Sequence, residues 1–123
     1  MICQEEGCEN IHELRCFNRD AMPICFECST TLHRDDSYRM VGLTKTKDGK
    51  SRVSTVWLGF DHSHSEEGPP LIFETMVFGG EWDSFQWRYY TETQALMGHS
   101  LAVKCLQSGL SPQEEFKKME AGK

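Results

Sequence analysis

The pattern of apolar and polar positions changes twice along the 123-residue chain. Between residues 37 and 90, apolar and β-branched side chains alternate with polar ones, and this period of two is typical of strands. Asp48-Gly49 tolerates the positive φ values of a type I′ turn and so predicts a hairpin. The alternation predicts a three- to four-stranded antiparallel sheet with strands over residues 38–47, 51–60, 71–78 and 85–90.

After residue 90 the spacing becomes helical. Thr91 and Gln94 have the separation of a capping box, and apolar residues then recur at helical intervals, which predicts a main helix over residues 92–107. Ser111 and Pro112 suit the capping and first positions of a second helix that is short and charged. One main helix and one short C-terminal helix packed with an antiparallel sheet give an α+β fold class.

The first third of the chain shows neither period and has few aliphatic side chains, but it holds five of the six cysteines. Cys3, Cys8, Cys25 and Cys28 follow the pattern C-x4-C-x16-C-x2-C. Two close cysteine pairs with such a loop between them can supply four thiolates to a tetrahedral zinc ion. We predict a structural zinc site there. Four thiolates leave no coordination position for water, so a catalytic zinc is disfavoured.

These patterns divide the chain into three segments. Residues 1–36 form the predicted zinc-binding module, 37–110 the sheet and main helix, and 111–123 the charged C-terminal helix. The module buries too little apolar surface to offset the entropy of ordering its backbone, so we expect it to need the metal. Within it, residues 29–33 are expected to form a helical turn capped by Ser29 or Thr30.

Charge is unevenly distributed along this chain of net charge −6. Residues 1–36 hold eight acids and three bases, 37–60 hold one acid and five bases, and 61–83 hold six acids and no base. Duplex binding requires a broad basic surface, so the acidic balance disfavours nucleic acid as a partner. Lys45, Lys47 and Lys50 of the basic hairpin would make the contacts if nucleic acid were bound.

The compartment follows from the same sequence. The chain does not open on a secretory signal and contains no apolar run long enough to span a membrane. We therefore expect a reducing cytoplasm and no membrane partner. In that setting clustered cysteines favour a metal over disulfides.

The order Cys3, Cys8, Cys16, Asp20, Cys25, Cys28, His33 resembles a B-box-type zinc module over about the first 36 residues. The resemblance implies a first zinc at the four cysteines named above and a second that begins with Cys16, Asp20 and His33. The first pair has wider spacing than the family pattern, and Asp35 or Asp36 would have to replace a late histidine. The alternative is one treble-clef-like or ribbon-like site with Cys16 in the core. Modules of the B-box type are mostly protein-interaction elements, which implies a protein partner.

A longer resemblance covers residues 53–105. The strings VSTVWLGFDH, GPPLIFETMVFG, RYYT and ALMGH are similar to a group of small uncharacterised proteins of tailed bacteriophages and prophages. The resemblance implies a viral protein expressed in the cytoplasm of a host bacterial cell. It implies no activity.

Several titratable residues in the second half could serve a ligand or a reaction if they converged. They are Asp61, His62, Glu74, Arg88 and His99. Glu74 lies in an apolar strand and must be paired, hydrogen-bonded or exposed, with Arg88 or His99 as the expected partner. A small enzyme or ligand binder would use His62, Glu74 and His99 in one pocket.

The sequence allows three functions. The leading one is a non-catalytic protein-interaction module whose sheet presents aromatic and acidic surface, with a host or defence component as its target. A nucleic-acid-binding or transcription accessory protein and a small enzyme or ligand binder are the alternatives.

Overall fold

The computed structural model describes residues 3–5, 16–63 and 68–121. In the described ranges no helix combines the length and the apolar character needed to cross a bilayer. The helices and strands follow the chain as β1 (Cys16–Phe17), β2 (Pro23–Ile24), α1 (Phe26–His33), α2 (Asp36–Arg39), β3 (Met40–Lys45), β4 (Arg52–Trp57), β5 (Phe73–Phe78), β6 (Gln86–Tyr89), α3 (Glu92–Ser108) and α4 (Pro112–Ala121).

The predicted α+β fold is confirmed. β3, β4, β5 and β6 form an antiparallel sheet in sequence order, and α3 packs along one face of it. Residues at alternate positions of β4 and β5 are buried under this helix because successive side chains of a strand point to opposite faces. The helix begins at the predicted capping box of Thr91 and Gln94 and ends at Gly109 with φ 70°.

Two details of the predicted sheet are wrong. Residues 36–39 form the short helix α2, capped by the Asp35 carboxylate, so the first strand begins at Met40 rather than at residue 38. The hairpin turn is not type I′, because Gly49 has a φ of 73° while Asp48 is not among the described residues with positive φ. Thr46 N–H instead bonds to the Ser51 carbonyl across a longer loop.

In the described part of the first module, the hairpin of β1 and β2 is followed by α1. Its helix begins at Phe26, earlier than the expected turn, and its cap is the Cys25 thiol, which accepts a hydrogen bond from Cys28 N–H. The expected caps Ser29 and Thr30 lie inside the helix, since Cys25 is the N-cap residue.

The core continues from this module into the sheet. Trp57 of β4 is fully buried, its indole Nε1–H donates to the Phe17 carbonyl at 2.8 Å, and the rings of His33 and Tyr38 pack against it. Arg19 pairs with Glu92 at the start of α3. The division at residue 36 stays a prediction, but the packed core crosses it.

Candidate metal centre and the polar sites of the sheet

Three cysteines converge at the N-terminus of α1. The sulfur atoms of Cys3, Cys25 and Cys28 all lie within 4.8 Å of one another. Cys3 and Cys25 are 3% and 1% exposed, and Cys28 is half-buried. Thiolates bound to one tetrahedral zinc lie roughly 3.8 Å apart, because each Zn–S bond is about 2.3 Å long. The three sulfurs are therefore close enough to bind one ion.

Backbone amides point at these sulfurs. Cys25 N–H donates to Cys3 Sγ at 3.2 Å, and Cys28 N–H donates to Cys25 Sγ at 3.4 Å. Such bonds, together with the positive end of the α1 dipole, place positive partial charge beside the sulfurs. Gln4 N–H donates to the Pro23 carbonyl at 2.9 Å and so fixes the segment that contains Cys3 beside β2. The local backbone thus helps to hold the three cysteines together.

The fourth predicted ligand, Cys8, lies outside the described residues. The other three come from separate segments, since Cys3 precedes the hairpin of β1 and β2 while Cys25 and Cys28 follow it. The sequence pointed to these three cysteines because close cysteine pairs are typical of zinc-binding modules.

The residues predicted for a second zinc do not come together. Among the described residues, the cysteines at positions 3, 25 and 28 are the one set that meets metal-ligand spacing. His33 Nε2 lies 2.6 Å from the Leu58 carbonyl, so this nitrogen donates a hydrogen bond to the backbone. Asp20 is exposed in a tight turn. Within the described residues Cys16 and His33 therefore have structural partners, and the second zinc stays a prediction.

Cys16 is a buried core thiol. It is 3% exposed, pairs with Ile24 across the small hairpin, and forms an isolated bridge with Phe60 beyond the end of β4. Burial raises the pKa of its thiol and the nearby Cys25 adds to the increase, which outweighs a lowering by the adjacent Ser29 hydroxyl. A neutral thiol at this position joins the module to the sheet by packing.

A chain of hydrogen bonds crosses the interface between the sheet and α3. Tyr89 O–H donates to Thr75 Oγ1 at 2.9 Å, the Thr75 and Thr55 hydroxyls lie 2.6 Å apart, and Thr55 Oγ1 lies 2.7 Å from His99 Nδ1. His99 Nε2 lies 2.9 Å from Thr44 Oγ1. When every hydroxyl donates its hydrogen bond towards His99, Nδ1 accepts from Thr55, and the neutral ring has its proton on Nε2.

Burial shifts the pKa values of His99 and Tyr89 in this hydrogen-bonded network. It lowers the pKa of His99 from its ordinary value of 6.5. Burial also raises the pKa of Tyr89 to about 12, against a smaller lowering by the bond to Thr75. Gly98 allows α3 to lie close to the Tyr89 side chain, because a Cβ at this position would lie 2.1 Å from the Tyr89 hydroxyl oxygen. Sequence reasoning missed this network, since threonine alternation in a strand has no specific chemical signature.

The predicted enzyme-like cluster is not assembled. Glu74 is paired with Val56 and Arg88 on the sheet face away from α3, and its carboxylate bonds to Arg88 Nε at 3.0 Å. His99 lies on the other face, where it bonds to Thr55. Glu74 and His99 are thus separated by the sheet, because Thr55, which contacts His99, and Val56, which lies opposite Glu74, are consecutive in β4 and point to opposite faces. The expected partner Arg88 is the correct one.

Asp61 and His62 lie in the loop that follows β4. The Asp61 carboxylate accepts bonds from the Ser63 amide, the Ser63 hydroxyl and the Leu71 amide. Burial raises the pKa of Asp61, but these hydrogen bonds outweigh it and bring the pKa below its ordinary value. His62 N–H donates to the Leu71 carbonyl. Within the described residues no hydrogen bond or ion pair joins His62 to Glu74 or His99, and His64 lies outside them.

The three lysines of the basic hairpin are all exposed. Lys45 ends β3, whereas Lys47 and Lys50 lie in the loop to β4, where the Asp48 carboxylate accepts the Lys50 amide. No family model, curated protein sequence or solved structure matches this chain.

Proposed function

We propose that this chain is a zinc-stabilised, non-catalytic protein-interaction module of a bacteriophage that acts in the cytoplasm of a bacterial host. One observation carries the zinc assignment: three cysteine sulfurs within 4.8 Å of one another, two of them accepting backbone amides. Cys8 completes the ligand set by its spacing. The order of a hairpin followed by a helix whose first turn supplies two cysteines favours the treble-clef-like alternative with one zinc.

The roles of the other polar residues support an interaction function over an enzymatic one. Glu74, Asp61 and His99 are each occupied by structural partners, and Glu74 and His99 lie on different faces of the sheet. Proton transfer requires groups within hydrogen-bond reach of one substrate. The phage setting is supported by the resemblance of residues 53–105, and the proposed target is a host or defence protein.

Metal analysis of two matched cysteine variants tests the zinc assignment. We expect one zinc per chain in the wild type, and a thiolate-to-metal charge-transfer band when Co²⁺ replaces it. Cys8→Ser should weaken zinc binding by about a hundredfold or more, since a ligand is lost. Cys16→Ser, an equally small change in the same module, should leave the zinc content at one. Equal loss from both variants, or isolation of the chain with cystines instead of metal, would overturn the assignment.

Affinity capture from bacteria that express the chain tests the interaction function. A specific partner should be retained by the wild type and by Cys16→Ser, and failure of the wild type to retain one would contradict the interaction function. Turnover of a small substrate by the purified protein, abolished by His99→Gln, would contradict the non-catalytic assignment.

A further inference from the structure

The face of the sheet opposite α3 forms a second surface, which we name the open sheet face. Its apolar side chains do not join the main core, and Leu43 and Phe78 are 55% and 41% exposed. The strand register arranges this face in three rows that run across the strands: Lys45, Arg52 and Phe78; Leu43, Ser54, Met76 and Gln86; Met40, Val56, Glu74 and Arg88.

The middle row has a shape suited to a side chain from another molecule. Ser54 is directly opposite Leu43 on one side and Met76 on the other. Neighbouring strands lie about 4.8 Å apart, so the short serine separates two long apolar side chains. An aliphatic side chain of a partner could lie over Ser54 and contact both.

The first row carries charge that the described residues do not neutralise. Lys45 is directly opposite Arg52, and like charges in such a pair repel. Neither forms an ion pair with an acid in the described part of the chain, and the Arg52 guanidinium lies 5.1 Å from the centre of the Phe78 ring. In a chain of net charge −6, this face has three bases and one acid, Glu74, which already pairs with Arg88. The surface is therefore complementary to an anionic partner, not the acidic surface that the sequence suggested.

The apolar residues distinguish between two kinds of anionic partner. Single-stranded nucleic acid binds to platforms on which successive bases stack against aromatic rings. This face has one aromatic ring, Phe78, and Arg52 already lies over it. Its other apolar members, Leu43 and Met76 among them, are aliphatic. These features favour a protein segment over a nucleic acid.

We propose that the open sheet face binds an acidic segment of a partner protein, whose carboxylates pair with Lys45 and Arg52 and whose aliphatic side chain occupies the position over Ser54. This assignment depends on the interaction function proposed above and specifies the chemistry of the partner.

Fluorescence anisotropy with the full-length, zinc-loaded protein tests the proposal. The probe is a short fluorescein-labelled peptide of alternating glutamate and leucine. We expect saturable binding that weakens with added salt and falls by about tenfold or more in Lys45→Glu/Arg52→Glu. Ser54→Tyr, which fills the middle row without changing charge, should weaken binding by a similar factor. Lys117→Glu/Lys118→Glu makes the same charge change on exposed positions of α4 and should leave the affinity within about twofold.

Three results would overturn the proposal. They are no binding of the peptide by the wild type, equal binding of a polyglutamate peptide with no effect of Ser54→Tyr, and tighter binding of an oligothymidylate that Lys45→Glu/Arg52→Glu abolishes. The last result would assign the face to nucleic acid. Zinc content and thermal unfolding are measured on the same samples. Failure of peptide binding with one zinc and an intact fold refutes only the open sheet face, whereas absence of zinc refutes the metal-stabilised module.

Discussion

The two halves of this molecule differ in what stabilises their folded state. The sheet and α3 bury a continuous set of large side chains, including Trp57, Phe73 and Val77, each with no exposed surface. The first module buries three cysteines and Ile24 but has little aliphatic surface of its own. On the proposal that this module binds zinc, its remaining stability comes from the metal ion and from packing on the sheet.

The two halves should therefore respond differently to the loss of single interactions. A packed core distributes its free energy over many contacts, so single changes cost a few kcal/mol. A metal-held module concentrates it in a few ligand bonds. Trp57 and His33 join the two halves, because their rings pack 4.6 Å apart across the interface.

Removal of the metal should have the largest effect on stability, and it should affect the first module much more than the sheet. Binding of a structural zinc is worth roughly 10 kcal/mol in small modules, so chelation should open α1 and the hairpin of β1 and β2. Hydrogen exchange should show protection lost at Ser29 N–H and retained at Val77 N–H. Equal loss at both amides would mean that the sheet does not stand without the module, and no loss would mean that the metal is dispensable.

Truncation of Trp57 should damage both halves together. Trp57→Ala removes a fully buried side chain and should lower the free energy of unfolding by about 3–5 kcal/mol, measured by denaturant titration. Trp57→Phe keeps most of the packing and removes the bond to the Phe17 carbonyl, so its cost should be about 1–2 kcal/mol. If Trp57→Ala leaves zinc affinity unchanged, the coupling between the halves is refuted.

Addition of a methyl group at Gly98 should affect the sheet half alone. Alanine is favoured over glycine in a helix by about 1 kcal/mol, but a Cβ at this position would lie 2.1 Å from the Tyr89 hydroxyl. We expect Gly98→Ala to destabilise by about 1–3 kcal/mol despite its better helix propensity. Ser100→Ala, on the exposed side of the same helix, is the matched control and should be neutral or stabilising. A stabilised Gly98→Ala would show that α3 does not pack so closely on the sheet.

Acidification should produce the smallest effect, again in the sheet half. The pKa of His99 is lower in the folded state than its ordinary value of 6.5, so the unfolded chain binds the proton more readily. The stabilising contribution is complete above pH 6.5 and decreases as the pH falls from there towards the folded-state pKa. The slope should be well below the limit of about 1.4 kcal/mol per pH unit, because the imidazole is only half-buried. Protonation would also reverse the hydrogen bond to Thr55.

His99→Gln, measured by denaturant titration at several pH values, is the control for this slope. It should remove the part of the pH dependence between pH 6.5 and the folded-state pKa while leaving the metal bound. Unchanged pH dependence in this variant would assign the slope to other groups.

The local pattern determined much of this protein. The period of two, the capping box at Thr91 and the cysteine spacing predicted the sheet, α3 and three cysteines that the structure brings together, because each pattern is formed by residues a few positions apart. The pairing of Glu74 with Arg88 was also expected, since neighbouring strands place them side by side.

Only the tertiary structure decided the rest, because those properties depend on which distant residues meet. It packed His33 against Trp57, enclosed Cys16 in the core, and put Glu74 and His99 on opposite faces of the sheet. It also joined four hydroxyl groups and an imidazole into one chain under α3. Spacing along the sequence fixes which ligands can reach one ion, whereas burial and the choice of sheet face emerge when the elements pack.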